Sequence, residues 1–328
     1  MIPFALHTAA SPEEALGRLA DEPGAALLAG GTTLVDLMKL EVLRPSAVID
    51  ISRIGLDAIE RTPRGWRIGA LARNRDVAAH PRIAADLPLL SQAILQGASG
   101  ALRTMATVGG NLLQRTRCGY FRDRTAACNK RSPGAGCAAL DGVNRGHAVL
   151  GVSDACIATH PGDLAVALAA LDARVTLRSR DGERTVAFTD FNLVPGNTPE
   201  RETVMMPSEM VTAVEVPDLG YARRSLYRKV RDRASYQFAL VSCAVALDVE
   251  EGVVRAARIA LGGVGTKPWR AREAERSLVG RFADAHAFGD AAARALAGAR
   301  PRPDNAFKVA MAERVLARCL LDLREMAL

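Results

Sequence analysis

Short apolar bursts, each closed by glycine, proline or a charged pair, set the rhythm of this chain and predict alternating strands and helices. Ser11-Pro12-Glu13-Glu14 opens the first helix. Ser11 is placed to cap it, Pro12 suits its first turn, and Glu14 completes a capping box. Ala25-Ala26-Leu27-Leu28-Ala29 reads as a short buried strand that ends in Gly30-Gly31. Leu34, Leu37, Met38 and Leu40 then recur at helical spacing. Val48-Ile49-Asp50-Ile51 predicts another strand, Trp66-Arg67-Ile68-Gly69-Ala70 alternates like a further one, and a helix is predicted over 87–97.

The apolar run 163–171 predicts a buried helix, and 175–177 with 185–188 predicts a hairpin across Arg180-Asp181-Gly182. Strands are predicted at 225–230, 238–249 and 253–261, the last two joined by Glu250-Glu251-Gly252. From Trp269 onward the chain is rich in alanine and arginine and reads as helical. A domain boundary is predicted near 217–223. Only 115–158 lacks periodicity. It reads as a long ordered loop, and an ordered loop of that length is functional or tied down.

Composition narrows the classes without choosing among them. The chain has 328 residues, enough for two or three domains and a sizeable core. Hydrophobic residues make up 49% and charged ones 24%, as in an ordinary globular protein. Aromatic residues are only 4%, which argues against the stacking platforms of single-strand nucleic-acid binding. The net charge of +7 comes from arginine spread along the chain, which suits a solvated surface or a subunit interface. No apolar run reaches the roughly 18 residues of a membrane span. Met1-Ile2-Pro3-Phe4-Ala5-Leu6 has neither a basic region nor an apolar core of a signal peptide, so no export signal is expected on this chain.

Candidate chemistry sits at two glycine turns and one cysteine cluster. The turns are Ala29-Gly30-Gly31-Thr32-Thr33 and Thr107-Val108-Gly109-Gly110-Asn111. Each is expected to present backbone N–H groups to an anion such as a phosphate, with Thr32, Thr33, Thr107 and Asn111 adding polar side chains. Neither is a Walker loop or the dinucleotide G-x-G-x-x-G fingerprint. One such turn is an ordinary structural feature, whereas two in one domain favour phosphate binding.

Of the six cysteines, Cys243 falls in a strand and Cys319 in a helix, where both read as buried apolar residues. Cys118, Cys128, Cys137 and Cys156 share the aperiodic loop. Without an export signal disulfides are the minor reading. The cysteine spacing shows neither the close pairs usual for zinc nor a ferredoxin run, and by itself leaves metal binding and a [4Fe–4S] cube open. Asp163 reads either as a helix cap or as a functional carboxylate. Lys229 reads either as a residue of a solvated or interface strand or as a functional cation.

Taken together, Leu28-Ala29-Gly30-Gly31-Thr32-Thr33-Leu34, Ala106-Thr107-Val108-Gly109-Gly110-Asn111-Leu112, Asp163-Leu164 and Lys229 resemble the FAD-binding medium subunits of the xanthine dehydrogenase and molybdenum hydroxylase family, over nearly the whole chain. The resemblance implies an α+β fold. A two-lobed FAD-binding domain of the PCMH and CO-dehydrogenase flavoprotein type would span 1–220. A smaller α+β domain with a three-stranded antiparallel sheet and helices would span 221–328.

It also implies that Leu28, Ala29, Gly30, Gly31, Thr32, Thr33, Leu34, Thr107, Gly109, Gly110 and Asn111 hold the FAD, with both glycine turns on its diphosphate. Asp163 and Lys229 would contact the flavin or its ribityl chain, and Lys229 would favour negative charge there by Coulomb attraction. Many relatives have Asp or Asn where this chain has Thr33.

Within the family, the segments around Cys118, Cys128 and Cys137 look like the flavin subunit of bacterial periplasmic aldehyde oxidoreductases, whose insertion carries a [4Fe–4S] cluster, as does the related 4-hydroxybenzoyl-CoA reductase. That likeness implies Cys118, Cys128, Cys137 and Cys156 as cluster ligands. It implies a molybdenum-cofactor large subunit and a [2Fe–2S] small subunit as partners, an external electron acceptor, and co-export on a twin-arginine signal borne by the small subunit. No catalytic residue is assigned to this chain. A stand-alone flavin oxidoreductase and a basic zinc-stabilised binding module are the alternatives.

Overall fold

Parallel pairing opens the fold of the computed structural model, which describes residues 1–326. Ala47–Asp50 lies between Ala5–Thr8 and Ala26–Leu28, parallel to both. The crossover helix Pro12–Asp21 begins as expected, with Ser11 Oγ accepting from Glu14 N at 3.1 Å. Its reciprocal bond reaches one residue further back, because Glu14 Oε2 accepts from Ala10 N at 2.9 Å.

A second lobe follows, built on a five-stranded antiparallel sheet in the order Ile59–Thr62, Gly65–Gly69, Met210–Pro217, Arg174–Ser179 and Gly182–Ala187. The predicted hairpin is present but longer than 175–177 and 185–188, and Phe188 opens the short helix Phe188–Phe191 instead of extending it. The central strand Met210–Pro217 carries no strand signal in the sequence. It is buried on both faces, so it lacks the alternation that marks a half-buried strand. The helices Asn74–Ala79, Pro81–Asp86, Pro88–Gln96, Gly100–Met105 and Val108–Leu112 pack around this lobe.

Asp163–Ala170 is buried along its whole length, as the unbroken apolar run predicts. It lies between this lobe and a C-terminal sheet. That sheet has four antiparallel strands where three were expected: Trp269–Arg270, Val253–Gly262, Val241–Glu250 and Ser225–Val230 in order. The added strand is two residues long, too short to leave a periodic trace in sequence. The strand expected from 238 begins instead at Val241, since the residues before it turn away to line a cavity. Arg272–Leu278, Ala285–Leu296 and Phe307–Glu325 cover the sheet, and Cys243 and Cys319 are fully buried in the core between them. Among the described residues no helix is long and apolar enough to cross a membrane.

The segment 115–158 carries one short helix, Gly119–Arg122, and an isolated antiparallel bridge between Cys128 and Cys137. Side chains tie it down in place of regular structure. Arg131 donates to the carbonyls of Tyr120 (2.7 Å) and Phe121 (2.9 Å), Asn129 Nδ2 to Ala155 O (3.1 Å), and Lys130 Nζ to Pro199 O (2.8 Å).

Candidate functional site

Strand Ala26–Leu28 delivers the first glycine turn, and helix Leu34–Lys39 leaves it. Gly31 sits at φ +70°, a conformation glycine adopts without strain. Gly30 has a different reason to be glycine. A Cβ there would overlap the Met105 carbonyl oxygen, so the turn packs directly against the backbone that leads into the second turn. Among the described residues, the amides of Gly30, Gly31, Thr32 and Thr33 donate to no protein group. Four adjacent N–H groups without partners make an anion-binding concavity.

The second turn differs. Thr107 caps the short helix Val108–Leu112, and its Oγ1 accepts from Gly110 N at 3.2 Å. Val108 N donates to Ala72 O (3.0 Å), Gly109 N to Ala70 O (2.8 Å) and Asn111 N to Thr107 O (2.8 Å). Every amide from Val108 to Asn111 is therefore occupied, which corrects the expectation that both turns present free N–H groups. Gly109 is glycine because Ala70 lies where its Cβ would go, with Ala70 Cβ 3.0 Å and Ala70 O 3.1 Å away.

Two cavities meet at these turns. The larger, about 530 Å³, is lined by Thr32, Thr33, Gly110 and Asn111 at one end and by Asp163 and Lys229 at the other. The smaller, about 210 Å³, is lined by Ala29, Gly30, Gly31, Leu34, Thr107 and Gly109 with apolar neighbours such as Leu27 and Leu43. Thr32, Thr33 and Gly110 line both. The free amides thus stand at a waist between a polar chamber and an apolar one, an arrangement suited to a ligand with a central anion and a group on each side. Of the residues expected at the cofactor, only Leu28 lines neither cavity, and its side chain packs beside Gly31.

Asp163 is the first residue of its helix, but Gly162 is the cap and the carboxylate caps nothing. It is buried, accepting from Tyr227 Oη at 2.5 Å and from Lys229 Nζ at 2.8 Å. The Lys229 side chain is only 1% exposed and also donates to Gln96 O at 3.1 Å, so it is not a solvated strand residue. Burial pushes the Asp163 carboxyl up, against the pull of Lys229 and Tyr227. Burial also pushes the Tyr227 phenol well up, with Asp163 adding to it. Lys229 and Asp163 neutralise one another, so the lysine presents no uncompensated cation to the cavity.

Sequence reasoning missed three residues here. Asn74 is buried at the larger cavity with an unpartnered Oδ1, while its backbone N–H donates to Ala106 O at 2.9 Å. Tyr227 carries no motif, and only the structure brings it to Asp163. Asp36 binds Arg122 at 2.9 Å and Arg117 at 3.0 Å, tying the helix after the first turn to the loop 115–158. The Arg122 guanidinium beside Asp36 holds its carboxyl below the usual range.

All four loop cysteines line one small chamber, walled otherwise by residues such as Phe121, Ala127, Ala139 and Ala158, and all four are free thiols. Cys128 and Cys137 face each other across their bridge. Burial pushes the Cys118 thiol up to about 11 and raises Cys156. Among the described residues, no three His, Cys, Asp or Glu side chains are set to hold a metal ion. The donor set around this small apolar chamber is all sulfur, the ligand chemistry of iron–sulfur sites.

A model of the FAD binding domain in molybdopterin dehydrogenase matches residues 2–219, and a model of the CO dehydrogenase flavoprotein C-terminal domain matches 225–323. The chain is 49% identical to the aldehyde oxidoreductase FAD-binding subunit PaoB of Escherichia coli (strain K12), covering 99% of each. It is 29% identical to the glyceraldehyde dehydrogenase medium chain of Sulfolobus acidocaldarius, covering 92% of this chain and 90% of that one. Among solved structures, it superposes on a chain of reconstituted CO dehydrogenase from Oligotropha carboxidovorans with a TM-score of 0.78, 26% identity and 100% of both chains covered.

Proposed function

This chain belongs to the family of FAD-binding medium subunits of the molybdenum hydroxylases, and from that premise we propose that it is the electron-transfer flavin subunit of a heterotrimeric, molybdenum-dependent aldehyde oxidoreductase. Substrate is oxidised on a large partner subunit carrying the molybdenum cofactor. Electrons reach this chain through a [2Fe–2S] small subunit and leave it to an external acceptor. Bound FAD supplies the redox chemistry, and the protein supplies position and electrostatics. Residues 1–220 form the FAD-binding domain and 221–328 the C-terminal domain. A partner's export signal carries the assembled complex to the periplasm.

The observation that carries this reading is the row of unpartnered amides from Gly30 to Thr33 at the waist between two cavities. Those amides hold the diphosphate, with Thr32 and Thr33 adding hydroxyls. Ala29, Leu34, Thr107 and Gly109 shape the smaller chamber for one end of the cofactor, and Leu28 supports the turn from behind. Gly110 and Asn111 line the larger chamber, where Asn74 Oδ1, Asp163 and Lys229 orient the other end. Cys118, Cys128, Cys137 and Cys156 hold a [4Fe–4S] cluster.

Purification of the chain with its bound partners tests this. Visible spectra should show FAD, and metal analysis should find iron and acid-labile sulfide beyond that of the small subunit. A flavin-free preparation that added FAD does not reconstitute would overturn the flavin reading. Aldehyde turnover by the isolated chain would overturn the subunit reading.

A further inference from the structure

One imidazole stands against the cysteine chamber. His147, 7% exposed, places its Nε2 3.2 Å from the Cys118 sulfur. Its Nδ1 is buried and has no partner. The Asn144 backbone also reaches the ring, so the sulfur decides which nitrogen must carry the proton. A cysteine bound to iron is a thiolate, and a thiolate sulfur only accepts. The contact then has one sense, Nε2–H donating to sulfur.

This placement is imposed from a distance. The His147 carbonyl accepts from Lys308 Nζ at 3.0 Å and Asn305 Nδ2 at 3.4 Å. Lys308 also donates to Gly146 O (3.1 Å) and Gly263 O (2.7 Å), and Asn305 to Ala148 O (3.2 Å). Both side chains are 0% exposed. Lys308 stands on the helix Phe307–Glu325, and Asn305 ends the turn Pro303–Asn305 just before it. A buried ammonium whose partners are carbonyls alone is unfavourable unless those carbonyls are held to it, so the backbone at 146–147 is fixed against the C-terminal domain.

We infer that His147 is a positioning residue of the iron–sulfur site, acting through the Cys118 sulfur: its N–H···S bond raises the cluster's reduction potential, and Lys308 and Asn305 of the C-terminal domain hold the imidazole where it does so. The inference rests on the reading of the four cysteines as ligands of a [4Fe–4S] cluster. Its physical basis is that the added electron places more negative charge on the cluster sulfurs, so a hydrogen bond to one of them is stronger in the reduced state.

The test is a potentiometric titration of the purified complex, followed by paramagnetic resonance, for the natural protein, His147→Leu and His147→Gln. The expected result is a lower potential for His147→Leu and a return toward the natural value for His147→Gln, which restores an N–H donor of similar reach. An unchanged potential in a His147→Leu complex that keeps its cluster overturns the inference alone, and so does a His147→Gln potential as low as that of His147→Leu.

If His147→Leu assembles no cluster, the natural protein labelled with ¹⁵N-histidine decides. Hyperfine coupling of a histidine nitrogen to the reduced [4Fe–4S] signal supports the inference, and its absence overturns it. A natural complex lacking the additional iron and sulfide overturns the cluster reading, and the inference falls with it, a result distinct from the others.

Discussion

The two glycine turns look alike as strings of residues and differ in what their amides do. Gly30 to Thr33 leave their N–H groups without partners, while Val108 to Asn111 have all of theirs bonded to the fold. The difference follows from where each turn sits. The first leaves a strand edge and faces the waist between cavities. The second is pressed against Ala70 and Ala72, whose carbonyls take two of its donors, while Thr107 takes the other two. A glycine motif therefore reports close packing or unusual φ, and only hydrogen-bond accounting tells which amides a ligand can use. The same distinction separates Asp163 and Lys229, which satisfy each other, from Asn74, whose oxygen is left for something else.

Substitutions should divide along that line, and the largest effect belongs to a group already engaged. Lys229→Met leaves the Asp163 carboxylate buried without its cation. Breaking a buried pair from one side costs about 3–5 kcal/mol, which denaturant unfolding would register. A loss well under that range would mean that Asp163 takes up a proton in the variant, in line with the upward push of its pKa by burial.

Gly30→Ala comes next. Its Cβ has no room against Met105 O, so the two turns must part at about 1–3 kcal/mol, and flavin content after gel filtration should fall sharply. Gly109→Ala meets the Ala70 side chain in a milder contact, so it should cost less stability and leave bound flavin largely in place. Equal flavin loss in both variants would erase the contrast between the turns.

Thr107→Ala removes a helix cap and should lower stability by about 1 kcal/mol, seen as a drop in Tm, with Thr107→Ser recovering most of it. Asn74→Ala probes the opposite kind of residue. Loss of one hydrogen bond of about 1 kcal/mol to the cofactor corresponds to roughly fivefold weaker FAD retention in dialysis.

The smallest effect is at Asp36, a carboxylate held below its usual range chiefly by Arg122. A depressed carboxylate stabilises the fold above its unfolded value of 3.8 and loses that contribution as the pH falls through the lower folded value. The pair is partly exposed, so Asp36→Asn should change stability by less than about 1 kcal/mol and flatten only the acid end of the profile.

Much of this protein is written locally. The Ser11 cap, the strand–glycine–helix order at 26–39, the buried helix Asp163–Ala170 and the grouping of four cysteines in one aperiodic loop all follow from neighbours in sequence. Periodicity, capping and turn chemistry act over a few residues, and so they can be read from a few residues. The strand Met210–Pro217 escaped because burial on both faces erases alternation, and Trp269–Arg270 because two residues carry no period.

What only the tertiary structure decided involves groups far apart in the chain. Lys229 and Tyr227 meet Asp163, Lys308 meets His147, and Ala70 and Ala72 take the amides of Gly109 and Val108. Whether a donor is free depends on what the rest of the fold brings beside it, and no window of sequence contains that neighbour.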